Sequence, residues 1–134
     1  DMNGDGKVKV TLDQFYFPEM SGETDQVSYN TRMSSEARLC ADISENISFL
    51  FIMDDPALVQ AITGALSYPD GTLPDDDDVT AEGKYLQWQD CPELASLGLD
   101  EYFSSMYIAR RGFWRTETVP NADLCQELWN EWRE

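Results

Sequence analysis

Along most of the chain the apolar residues return every three or four positions, the period of a helix packed on one side. Between Ser35 and Met53, Leu39, Ile43, Ile47, Leu50 and Phe51 follow that spacing. They predict an amphipathic helix whose last turn, "SFLFIM", is apolar on most sides and belongs at the centre of a core. In "DDPALVQAITGALSY", Asp55 is placed to cap a second helix, with Pro56 in its first turn. Thr80 can cap a short helix, "AEGKYLQWQ". In "LDEYFSSMYIARR", Leu99, Tyr102, Phe103, Met106 and Tyr107 form one helical face, stopped by Gly112. Asn121 is placed to cap "ADLCQELWNEW", with an apolar stripe of Leu124, Leu128, Trp129 and Trp132. Strand-like alternation is confined to the short "VKV". The pattern predicts one compact all-α domain over residues 1–134, without a linker.

Composition narrows the classes. A chain of 134 residues with 42% hydrophobic and 12% aromatic content can bury a core of its own. The apolar patch "FLFIM" falls far short of the roughly 18 residues of a membrane span, and the first residues lack a signal-peptide pattern. Nine Lys and Arg against 26 Asp and Glu leave a net charge of −17. Such a surface repels nucleic acid and anionic lipid and attracts cations and basic protein partners. Solvation of the surface explains the same charge more simply.

There is no histidine, which removes Ser-His and Cys-His nucleophilic chemistry and the usual zinc and iron ligand sets. Carboxylate pairs such as Asp54-Asp55 remain, but without a nucleophile–base set or a glycine-rich phosphate loop the chain does not read as an enzyme. Three widely spaced cysteines, Cys40, Cys91 and Cys125, fit reduced thiols and favour a cytoplasmic setting. One glycosylation acceptor pattern, Asn46-Ile47-Ser48, would matter only outside the cell and falls inside a predicted helix. The tryptophans read as core fillers. The five methionines are scattered, unlike the methionine-rich groove of a calcium sensor.

The opening "DMNGDGKVKVTLDQF" carries the most specific chemistry. Calcium takes about six to eight oxygen ligands, and one flexible loop can supply most of them. In a helix-loop-helix site, loop positions one, three and five give side-chain oxygens, position six is glycine, seven gives its carbonyl and eight is aliphatic. Here these are Asp1, Asn3, Asp5, Gly6, Lys7 and Val8. A plain polar turn requires neither the spaced triad nor the aliphatic. Position twelve, where a bidentate glutamate closes the shell, is Leu12, and oxygen-bearing side chains return only at Asp13 and Gln14. Either the loop bulges and one of these reaches the ion, or the site is incomplete and weaker.

A second twelve-residue frame, "DCPELASLGLDE", runs from Asp90 to Glu101 with Leu97 at its eighth position. Pro92, Leu94 and Ala95 stand where oxygen ligands and the glycine belong, so it reads as a degenerate loop whose role is structural, with weak ion binding at most. The acidic "DGTLPDDDDVTAEG" lacks a correctly placed glycine and reads as a surface loop.

The first loop resembles those of the EF-hand superfamily. The tail is similar to the C-terminal region of sarcoplasmic calcium-binding proteins and the related coelenterate photoproteins, through Leu99, Asp100, Glu101, Gly112, Phe113, Trp114, Pro120 and Cys125. That resemblance implies EF-hand-like helix-loop-helix units around an apolar interior, one loop intact and one degenerate, with Ca²⁺ as the cofactor. It implies a calcium buffer or structural binder, and an entering helix upstream of Asp1. Photoproteins use histidines in light emission, which this chain does not have. An acidic helical module that docks a basic protein is the other expectation.

Overall fold

The computed structural model describes residues 13–18, 26–113 and 119–134. The chain divides into two compact units, Asp1–Glu45 and Asn46–Glu134. In the first, helix α1 (Gln26–Ser44) is largely polar and buries Ser35, Leu39 and Asp42, which return every three or four residues along one stripe. Side-chain pairs one turn apart, Gln26 with Asn30 at 2.9 Å and Arg32 with Glu36 at 3.2 Å, line its open faces. Such pairs contribute little individually.

The helix expected to continue to Met53 stops at Ser44. Asn46 adopts a left-handed backbone, φ 56°, a conformation that asparagine tolerates better than most residues and that breaks the helical path. The apolar "LFIM" beyond it forms strand β1 (Leu50–Met53). Helix α2 (Pro56–Thr63) starts as its signals predict. The Asp55 carboxylate accepts from the Leu58 amide at 3.1 Å, Pro56 occupies the first turn, and Gly64 closes the helix with φ 58°.

The segment expected to form the Thr80-capped helix contains a two-residue strand, β2 (Leu86–Gln87), and a single 3₁₀ turn, Trp88–Asp90. Two one-turn helices follow, α3 (Pro92–Ala95) and α4 (Asp100–Phe103). The rest of the expected "LDEYFSSMYIARR" helix is strand β3 (Tyr107–Arg110). The chain ends in α5 (Ala122–Arg133). Its preceding residue Asn121 is left-handed, φ 59°, and its side chain makes no capping hydrogen bond.

The all-α, paired helix-loop-helix architecture is therefore incorrect. The three strands form one antiparallel sheet in the order β1-β3-β2. Phe51 pairs with Ala109, Ile52 with Ile108, and Leu86 with Ile108 from the other side. Successive residues of a strand face opposite sides of the sheet, so β3 supplies two cores at once. Ile108 joins Phe49, Trp88, Cys91, Leu94, Val119 and Trp129. Ala109 joins Met53 and Leu66, flanked by Phe51, Val59, Tyr85 and Tyr107. Short apolar runs fit helix and strand equally well by period, and pairing partners distant in sequence decided between them here.

Trp129 is the largest fully buried side chain, and its indole N–H donates to the Pro69 carbonyl at 2.7 Å. Trp129→Ala removes both the ring and that donor. The expected loss is about 3–5 kcal/mol of unfolding free energy, read from urea titration. A loss below about 1 kcal/mol would place the ring outside the cooperative core.

Candidate functional site

Of the residues assigned to the opening calcium loop, Asp1, Asn3, Asp5 and Lys7 lie outside the described residues. Asp13 and Gln14 are described, and both are exposed. The main-chain carbonyl of Gln14 accepts a long hydrogen bond, 3.5 Å, from the Arg38 guanidinium, which also lies 5.1 Å above the Phe15 ring. Residue 14 is thereby tied to α1, with the Asp13 and Gln14 side chains exposed.

Asp90 and Glu101 are also exposed, Asp90 closing the 3₁₀ turn and Glu101 in the single turn of α4. Between them, the positions of a calcium loop are wound into α3. The Cys91 carbonyl accepts from Ala95 at 2.9 Å, Pro92 from Ser96 at 3.0 Å and Leu94 from Leu97 at 3.1 Å. Those oxygens are used in helical turns. Among the described residues, no group of three acidic or cysteine side chains is placed to hold a metal. The three cysteines form no disulfide, and burial raises the pKa of the Cys91 and Cys125 thiols.

The acidic loop read as plain surface is built around a buried cation. Lys84 is fully enclosed. Its ammonium donates to the Asp78 carbonyl at 2.8 Å and the Thr80 carbonyl at 2.5 Å, and pairs with the Asp78 carboxylate at 3.4 Å. The Tyr68 ring lies 5.9 Å away, and the Tyr68 hydroxyl donates to the same carboxylate at 2.5 Å. Thr80 Oγ1 donates to it as well, at 3.0 Å. The Tyr68 and Thr80 hydroxyls, then the Lys84 charge, lower the Asp78 pKa to about 2. The bond to Asp78 in turn raises the pKa of Tyr68. The three protons of the ammonium meet three acceptors, which leaves no free valence for nucleophilic work. The arrangement is a clamp that gathers residues 78–84 around one charge. Asp75, Asp76 and Asp77 stay exposed outside it.

Two further buried cations escaped the sequence reading. Arg110 stacks 4.8 Å above Phe49, donates from Nε to the Arg111 carbonyl at 3.3 Å, and bonds Gln126 of α5. Gly71 is required beside it: its φ is 89°, and a Cβ there would meet the Arg110 guanidinium at 2.9 Å. Arg111 lies 5.1 Å above Phe113 and donates to Asn46 Oδ1 at 2.7 Å. The acceptor-pattern asparagine thus sits in a turn with its amide oxygen engaged, not within a helix. Adjacent arginines ending an apolar strand were the available signal, but they read as the polar end of a helix.

Asp78 titrates lower in the folded chain than the ordinary carboxyl value of about 3.9. Its stabilising contribution is complete above about pH 5 and is lost as pH falls toward about 2. Tyr68→Phe removes the largest cause and brings the folded pKa back toward the ordinary value, so the stability lost between about pH 5 and 2 becomes smaller. An acid limb identical to wild type in urea titrations from about pH 6 to 2 would show that the bond does not form in solution. Lys84→Met leaves the partly buried Asp78 and Thr80 carbonyls without their donor, at about 1–3 kcal/mol in total. A urea midpoint at pH 7 that equals wild type would remove the clamp from the stabilising interactions.

No protein-family model, curated protein sequence or solved structure matches the chain.

Proposed function

We propose that the chain is a calcium-binding protein whose site lies in residues 1–14, acting as a structural binder or buffer. The observation that carries the reading is the spacing of Asp1, Asn3, Asp5 and Gly6 with Val8 behind them. Side-chain oxygens on alternate residues, followed by a glycine turn, allow a short loop to wrap a hard cation. The fold of the described residues is not the helix-loop-helix bundle of EF-hand proteins, so the reading rests on the loop alone.

The closing ligand is the open chemical question, and the first unit bears on it. The Gln14 carbonyl is engaged by Arg38, and that guanidinium brings a positive charge beside the residue. An ion next to Gln14 must tolerate this charge. Asp13 offers a carboxylate and offsets it, which favours Asp13 as the residue that completes the shell, with the Lys7 carbonyl as a further ligand. A net charge of −17 adds a general attraction for divalent cations. Lacking a bidentate glutamate at position twelve, the site belongs in the weak range, with Kd on the order of 10⁻⁴–10⁻³ M.

Isothermal titration of the full chain with calcium at physiological ionic strength tests this. One equivalent is expected to bind, and Asp5→Ala or Asp13→Asn to weaken it by about tenfold or more, or ~1.4 kcal/mol. Absence of saturable heat at millimolar calcium, or unchanged affinity in Asp5→Ala, would refute the loop as a site.

A further inference from the structure

The segment from Ser96 to Tyr102 is exposed at every position, yet three of its seven residues are large and apolar. Leu97 is 60% exposed, Leu99 37% and Tyr102 71%. Single exposed apolar residues are ordinary, but a run of them on one short stretch is not. The stretch is also firmly mounted. At one end Leu94 is buried in the main core. At the other, Phe103 stacks on Trp88 with ring centroids 4.8 Å apart. Gln89 Nε2 donates to the Ser104 carbonyl at 2.6 Å and the Trp88 amide to Met106 at 3.0 Å, closing the base of the segment. Between the anchors the chain turns at Gly98, φ 71°, where an added Cβ would meet nothing within 4 Å. The outer surface there is open.

Charge selects what covers it. Asp90 in the 3₁₀ turn, Glu93 in α3, and Asp100 and Glu101 in α4 are all exposed, and no Lys or Arg occurs from residue 85 to 109. Among the described residues none of the four carboxylates is in an ion pair, since the two pairs present are Arg32–Glu36 and Lys84–Asp78. An apolar patch rimmed by unpaired carboxylates complements a segment that combines apolar side chains with Lys or Arg. A second copy of this chain, also at −17, would be repelled, as would nucleic acid or an anionic membrane.

We propose that the Leu97–Leu99–Tyr102 surface docks a basic protein segment, with those side chains as anchors and Asp90, Glu93, Asp100 and Glu101 as the steering rim. Apolar contact supplies affinity and the rim supplies encounter rate and selectivity. On this reading Asp90 and Glu101 serve a partner's cations. The proposal is independent of the calcium loop.

The test is fluorescence anisotropy of the full chain with two labelled synthetic peptides of equal charge, one built of Lys and Leu at helical spacing, the other of Lys and Ser. The Lys/Leu peptide is expected to bind about tenfold or more tighter. The patch variant Leu97→Ser/Leu99→Ser/Tyr102→Ser should lose that advantage, while a comparison variant with three exposed apolar residues changed elsewhere, Val27→Ser/Met33→Ser/Val79→Ser, stays within about twofold. Glu93→Gln/Glu101→Gln, which leaves the apolar groups in place, should weaken binding and flatten its salt dependence. Thermal unfolding checks each variant, and if the patch variant unfolds, the charge variant decides. Equal binding of the two peptides overturns the proposal, as does unchanged binding by the charge variant or by a folded patch variant. Sedimentation showing a dimer that the patch variant abolishes would assign the surface to a second copy and overturn it too.

Discussion

The second unit depends on the placement of one short strand. Residues 107–110 are hydrogen-bonded on both edges and covered on both faces, so every other element is positioned by reference to them. Ile108 and Ala109 are fully buried next to each other in sequence. This is possible only because a strand sends consecutive side chains to opposite faces. A helix over the same residues would direct them about 100° apart and could not place one in each core. The sheet that results is small, but its central strand removes enough apolar surface from water to fix the tryptophans of both flanking segments.

Charge is organised with the same economy. Of the six cationic residues among those described, Lys84, Arg110 and Arg111 are buried. Each serves the interior: Lys84 gathers the carbonyls and carboxylate of the acidic loop, and the two arginines lie over Phe49 and Phe113 at the end of β3. Burial lowers the pKa of Arg110, though a guanidinium stays charged at neutral pH. With these cations withdrawn, the surface is more anionic than the composition alone conveys. The proposed calcium loop and the proposed docking surface at Leu97–Tyr102 would be two outlets for the same imbalance, carried by different residues.

Some of this was legible in the chain. Helix α2 begins where Asp55 and Pro56 signal it, because a cap and a proline act through bonds to their own neighbours. The stripe of α5 was legible for a similar reason: Trp129 and Trp132 return at a local period, and both pack on the core. Asp90 and Glu101 were found as exposed acids, but not in the setting that the twelve-residue frame suggests, because proline at position 92 starts a helical turn. Leu99 and Tyr102 were hidden within an expected helical face, and Leu97 within the degenerate loop as its eighth position.

By itself, the sequence determined what short-range physics controls: the start of α2, the period of α5, the excess of negative charge and the oxygen spacing of the opening loop. The tertiary structure alone decided that "LFIM" and "YIAR" are strands, since "LFIM" pairs its backbone with "YIAR" some 57 residues away, in the register Phe51–Ala109 and Ile52–Ile108, and "YIAR" pairs with β2 on its other edge. It also decided the fate of the cations. Whether a lysine is a solvated tip or a buried clamp depends on which carbonyls the folded chain brings within reach, and no local pattern encodes that.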